Sequence, residues 1–420
     1  MTPQAPFSSM DGLRYGLLGL PLAFVALPLY VILPNHYARE FGVPLAALGA
    51  VLLAARLFDA VIDPWIGRLN DRLFARSPAS VLGLGALAAL LLVAGFALLF
   101  FPLARQPGAL LAWAGAALVL TYAGYSMLSV AHQSWGARLG GDEAQRGRIV
   151  AWREGLGLAG VLLASVLSVA GGPAVATAAL AVALIAGWLA WARSRQPSPS
   201  PPAAAAFSLW LPLVRPKFRR LLAVFLLNGI ASAIPATLVL FYVQDRLQAP
   251  AALQPAFLGC YFLCAALAMP LWLAAVRRIG LARSWLCGMA LSIAVFAWAA
   301  LLGAGDSASF LAVCALSGAA LGADLALPGA LLAGLIADAG ERGRAEGAYF
   351  GWWNFATKLN LALAAGLALP LLALAGYSPG ARDGGALGAL VFAYCVLPCV
   401  LKLLAAATLY LGLIRPERNR

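Results

Sequence analysis

Apolar stretches of about 20 residues or more, the length a helix needs to cross a bilayer, recur from one end of this 420-residue chain to the other. They leave few options. A hydrocarbon core holds no water to satisfy backbone amides and carbonyls, so a spanning segment must close its own hydrogen bonds as a helix or share them in a closed barrel. The runs here are continuous, rich in Leu and Ala, and lack the alternation of a barrel strand. With 63% hydrophobic and only 11% charged residues, the chain is predicted to be an all-α membrane protein. Twelve apolar segments are counted, near 13–34, 43–66, 79–103, 108–135, 149–171, 173–194, 220–244, 251–276, 281–303, 307–336, 346–375 and 384–414. No basic leader or small-residue cleavage site precedes the first, so no signal peptide is expected.

The Pro- and Ser-rich stretch SRQPSPSPP, followed by a basic segment, separates the sixth run from the seventh. This predicts two pseudo-symmetric six-helix halves, 1–195 and 219–420, joined by a cytoplasmic linker over 196–218. The halves echo one another: DPWIGRLNDR closes the second segment and MPLWLAAVRR the eighth, aligning Pro64 with Pro270 and Asp63 with Met269. Of the 29 Lys and Arg residues, 22 fall in loops on one side and four (Arg39, Arg105, Arg246, Arg382) on the other. Retained loops are basic, which predicts both termini in the cytoplasm of a bacterial-type inner membrane. The net charge of +13 is then explained by topology and contacts with anionic lipids, and calls for no nucleic acid. The six cysteines all lie in apolar runs without a neighbouring His, and are read as small core hydrophobes.

Three charges interrupt the second segment. In RLFDAVIDPWIGRLNDR, Arg56, Asp59 and Asp63 are spaced by three, four and seven residues, so all project from one helical stripe. Each costs roughly 2.5–3.5 kcal/mol near the bilayer centre, which favours an inward-facing, paired arrangement. An internal salt bridge accounts for Arg56 and one acid. The second acid leaves a surplus negative charge, to be met by a proton, by sodium or by another basic residue. Lys358, in WWNFATKLN of the eleventh segment, is the candidate for charge coupling.

These residues resemble a known family. LLAARLFDAVIDPWIGRLNDR is similar to the second helix and following loop of the melibiose permease family, the glycoside, pentoside and hexuronide cation symporters of the major facilitator superfamily. YSMLS, GGDEAQRGRIVAWREGLGLAG and IADAGERGRAEGAYFGWWNFATKLN resemble its other motifs in order and spacing. The resemblance implies the major facilitator fold, twelve transmembrane helices, alternating access, a monomer, a small-molecule substrate and no cofactor beyond a coupling ion, H+ or Na+. It places Asp59 and Asp63 at the cation site, Ser126 as a hydroxyl ligand, Arg153 near the substrate cavity and Lys358 within it. Local alternatives stand beside these: Ser126 bonding back to its own helix, and Arg153 in a gating salt bridge. Where sugar-transporting members carry acids, this chain has Ala23 and Ser129. Their Asn between the cation-site acids is Ile62 here, which favours protons over sodium.

Further residues complete the candidate set. His132 and Gln133 could reach substrate, or His132 could pack. Trp353 and Asn354 offer an aromatic face beside a hydrogen-bonding group. Asp324 lies at membrane depth before Pro328, either lining a cavity or capping a helix break. Lys402 either snorkels or pairs with Asp324. Gly67 permits close helix approach, while Asp71 and Arg72 can bridge helix ends as a gate. No zinc motif, nucleophile elbow or phosphate loop is present, so the chain is expected not to be an enzyme. The expected function is cation-coupled transport of a small organic substrate, a sugar or glycoside, with a lipid or amphiphile as the alternative cargo.

Overall fold

The computed structural model of the protein describes residues 7–197 and 208–418, and these are almost entirely helical. Much of the expected linker, residues 198–207, lies outside them. In order the helices are α1 (Ser9–Gly16), α2 (Gly19–Phe24), α3 (Leu33–Phe41), α4 (Leu45–Arg76), α5 (Pro78–Phe100), α6 (Pro107–Leu139), α7 (Glu143–Ala170), α8 (Gly172–Ala192), α9 (Leu211–Val214), α10 (Pro216–Phe241), α11 (Gln254–Ile279), α12 (Leu281–Ala299), α13 (Ser307–Asp338), α14 (Glu346–Leu374), α15 (Gly384–Val391), α16 (Leu397–Leu409) and α17 (Arg415–Arg418). Among the described residues, nine helices are long and apolar enough to cross a membrane. Each of the predicted apolar segments coincides with a helix or a run of short helices. This is an all-α, multi-pass membrane protein.

Helix ends follow local chemistry. Asp142 and Asp383 cap α7 and α15 by accepting from the Gln145 and Ala386 amides, each at 2.8 Å. Pro78, Pro107 and Pro216 open their helices, where the missing N–H costs nothing. The first apolar segment departs from the single helix expected. Pro21, Pro28 and Pro34 interrupt its amide ladder, and Pro28–Ile32 winds as a π-helix between α2 and α3.

The chain forms two compact units, Met1–Pro212 with Ala333–Phe355, and Leu213–Leu332 with Ala356–Arg420. This differs from a division at 195 and 219 in one respect: residues 333–355 group with the first unit, where polar contacts hold the start of α14 against α4. The core of the first unit packs Trp135 edge-to-face against Trp191, ring centroids 5.3 Å apart, and both side chains are fully buried. α5 and α6 meet there with small residues at the contact. A Cβ added at Gly124 would stand 2.6 Å from the Leu92 amide nitrogen. In the second unit, Tyr242 stacks on Tyr394 at 4.2 Å and donates to the Ala299 carbonyl at 2.5 Å. Asp245 ties the loop after α14 to the end of the α10 segment, accepting from the Tyr377 hydroxyl and from the Gly380 amide at 2.9 Å. Burial and that carboxylate raise the pKa of the Tyr377 hydroxyl well above its usual value. All six cysteines are free thiols.

Candidate functional site

The helical period sets Asp59 and Asp63 one turn apart on α4, and both are buried, at 5% and 0% exposure. Ser126 of α6 donates its hydroxyl to Asp59 Oδ1 at 2.7 Å. Its hydroxyl therefore reaches across to α4, where the local alternative had it bonding back to its own helix. Two carboxylates and a hydroxyl make a set of hard oxygens, suited to a proton or a small hard cation. Arg56 sits on the same stripe and is half-buried. Among the described residues no group of three or more His, Cys, Asp or Glu side chains could hold a metal ion.

Two turns further along α6, Gln133 donates to Ser129 Oγ at 2.9 Å and to Asn354 Oδ1 of α14 at 3.1 Å. Three of the expected substrate residues thus form one hydrogen-bonded row. Trp353 beside them is 6% exposed, and its neighbour Trp352 donates to the Leu209 carbonyl at 2.9 Å. His132 takes the packing alternative. It is fully buried, its Nε2 lies 2.7 Å from the Tyr15 carbonyl, and its ring packs between Tyr15 and Trp191 at 4.3 and 5.7 Å. Arg153 is held by a close ion pair to Glu154. Lys358 is half-buried and belongs to the second unit.

The start of α14 lies directly on α4. A Cβ at Gly67 would stand 2.1 Å from the Gly347 carbonyl oxygen, and one at Gly351 would stand 2.6 Å from the carbonyl oxygen of Asp63. Backbone contact this close requires glycine. Gly351→Val is expected to lower thermal stability in detergent by at least about 2 kcal/mol. Gly259→Val, at a position with nothing within 4 Å of an added Cβ, should leave it nearly unchanged.

Asp71 locks the crossing. Its Oδ1 accepts from the Gly347 amide at 2.7 Å and its Oδ2 from the Ala348 amide at 2.8 Å, so the carboxylate caps the positive end of α14. Arg138 of α6 closes the network, 3.1 Å from Asp71 Oδ1 and 3.0 Å from Glu346 Oε2, with its guanidinium 4.0 Å above the Phe74 ring. The sequence-based gate assigned Arg72 to this place; Arg72 is exposed and the cation is Arg138. In the sequence Arg138 and Glu346 each read as an ordinary loop charge. The available signal was Arg138 standing just before Gly140 and Gly141, whose φ of 68° and 95° turn the chain sharply after α6.

In the second unit Lys402 pairs with Asp324, Nζ to Oδ2 at 2.8 Å, and also donates to Asn228 Oδ1 at 2.8 Å. Lys402 is 2% exposed and does not snorkel. Asp324 also accepts from Trp285 Nε1 at 2.9 Å and from Ser232 at 3.3 Å.

Buried charges are thus held inside a bundle of apolar, membrane-length helices, the build of a polytopic membrane protein. Residues 14–414 match the family described as MFS/sugar transport protein, and the chain belongs to that family, within the major facilitator superfamily. Among solved structures it is similar to a bacterial homologue of the iron transporter ferroportin in the outward-facing state, with TM-score 0.70 and 17% identity, over 96% of this chain and 98% of that one. It is also similar to the E. coli fucose:proton symporter FucP, with TM-score 0.64 and 14% identity, over 93% and 98% of the two chains. No curated protein matches its sequence.

Proposed function

We propose that this transporter is a cation-coupled symporter of the melibiose permease type. It carries a small organic solute, a sugar or glycoside, across a bacterial-type inner membrane by alternating access, as a monomer with both termini in the cytoplasm. One observation supports the coupling above all: two buried carboxylates one turn apart, with the Ser126 hydroxyl bonded to one of them. Charges at that depth are costly unless balanced, and a cation that enters and leaves is the balance that would do transport work. Ile62 supplies no oxygen between the acids, which favours the proton over sodium. Lys358 is the proposed charge-coupling residue. The fucose:proton symporter among the structural neighbours and the family's description as sugar transport support the substrate class.

The test is flux into proteoliposomes. A sugar and glycoside panel is first ranked by thermal shift, with lysolipids as the alternative cargo, and the best ligand is then followed under an imposed proton or sodium gradient. Accumulation above equilibrium under the proton gradient is expected. Equilibration that ignores both gradients would reject coupling.

A further inference from the structure

The second unit holds a partly open cavity of about 160 Å³, room for a small solute where a single water takes about 30 Å³. Asp324 and Lys402 stand in its wall with Ser232, Ser292 and Ser317, and the rest is largely apolar, with aromatic faces from Phe257, Phe262 and Tyr394 among them. Tyr394 lies on the π-helical stretch Phe392–Val396, a winding that recurs where helices carry binding groups. The cation-site reading of α4 uses none of these residues.

The charge arithmetic limits what can bind. Asp324 and Lys402 together are neutral, and the ammonium spends two of its three donors on Asn228 and Asp324. A bare anion entering would leave the site one negative charge in excess at low dielectric, which is unfavourable. If Asp324 takes a proton, its hold on the ammonium weakens and Lys402 is left with a positive charge facing the cavity. One carboxylate then restores neutrality. Trp285 and Ser232, which donate to Asp324, keep the acid in place while the lysine turns to the ligand. The other titratable groups around the cavity are Tyr261 of α11, Cys314 of α13 and Tyr394, with Cys399 near Lys402 on α16. None of these carries a fixed charge of either sign that would replace the pair.

We propose that this cavity binds a small organic monocarboxylate with an apolar or ring-shaped body, its carboxylate on Lys402, together with one proton on Asp324. The balance is simple: one proton and one anion enter, no covalent bond forms or breaks except the O–H on Asp324, and the net charge of the site is unchanged. The inference goes beyond the transport reading and depends neither on a sugar as cargo nor on the cation site of α4.

Benzoate is the probe, with hexanoate and the neutral isostere benzamide beside it, measured calorimetrically on the full chain in detergent. Wild-type protein is expected to bind benzoate with uptake of one proton, and its affinity should fall about tenfold per pH unit on the alkaline side. D324N should bind without proton uptake and without that pH dependence. K402M should lose binding at least tenfold. Because K402M leaves a buried carboxylate without its ion partner and could fail to fold, the doubly neutral D324N/K402M variant serves as the second test and should also fail to bind. Four results would each overturn the site: no binding of benzoate or hexanoate to wild-type protein at acidic pH, binding without proton uptake, equal affinity for benzamide, or wild-type affinity in the double variant. Loss of benzoate binding in a protein that still performs gradient-driven transport counts against this site alone. Intact benzoate binding with gradient-independent flux counts against the coupling reading alone.

Discussion

Asp63→Asn is expected to abolish gradient-driven accumulation while leaving the protein folded. Asp63 is fully buried on α4, with its backbone carbonyl pressed against Gly351. A carboxylate at that depth costs roughly 2.5–3.5 kcal/mol, and the cation that neutralises it recovers a similar amount. Removing the charge therefore lowers cation affinity by about 100-fold, at 1.4 kcal/mol for each factor of ten. The amide keeps the size of the side chain and an acceptor oxygen, so the protein stays folded. A purely structural ion pair predicts the opposite outcome, since removing one partner of a buried pair costs about 3–5 kcal/mol. Thermal unfolding and flux measured on the same preparation separate the two roles.

Asp71→Ala carries the second large effect. The carboxylate satisfies two amides at the start of α14 and the Arg138 guanidinium at once. Without it two backbone donors lose their acceptor, and Arg138 keeps only Glu346 among these acids. Breaking such a network costs about 3 kcal/mol or more. Spin-label or fluorescence distances between α4 and residues 346–355 should therefore show the docked arrangement giving way to a second population. Asp71→Asn, which keeps one acceptor oxygen, should lie between the two. If the distance distribution of Asp71→Ala matched that of wild type, the lock would have no energetic weight.

Much of this was readable in the chain because charges are rare in it. Asp59 and Asp63 stand out against an apolar run, and the helical period alone puts them on one stripe. The pairing of Lys402 with Asp324 was one of two open alternatives, and burial decided it: a lysine 2% exposed has no route by which to snorkel. What could not be read was anything set by how helices distant in sequence meet. Ser126 reaching Asp59 depends on α6 crossing α4, and Gln133 joining Asn354 depends on a contact 221 residues away in sequence. Arg138 carries the same charge as Arg72 and both read as inner-loop cations; only the packing that buries one and exposes the other separates them. The break in the first segment is legible in principle from the three prolines in it, although its spanning length alone predicts one continuous helix.

Asp59 and Asp63 are proposed to hold the coupling cation. Infrared difference spectroscopy of the carboxyl groups, titrated with protons and then with sodium, tests this assignment without knowledge of the substrate. Carboxyl bands in the wild-type protein are expected to respond to proton or sodium addition and to disappear in Asp59→Asn and Asp63→Asn. Bands that ignore both ions, or that persist unchanged in both variants, would contradict the assignment.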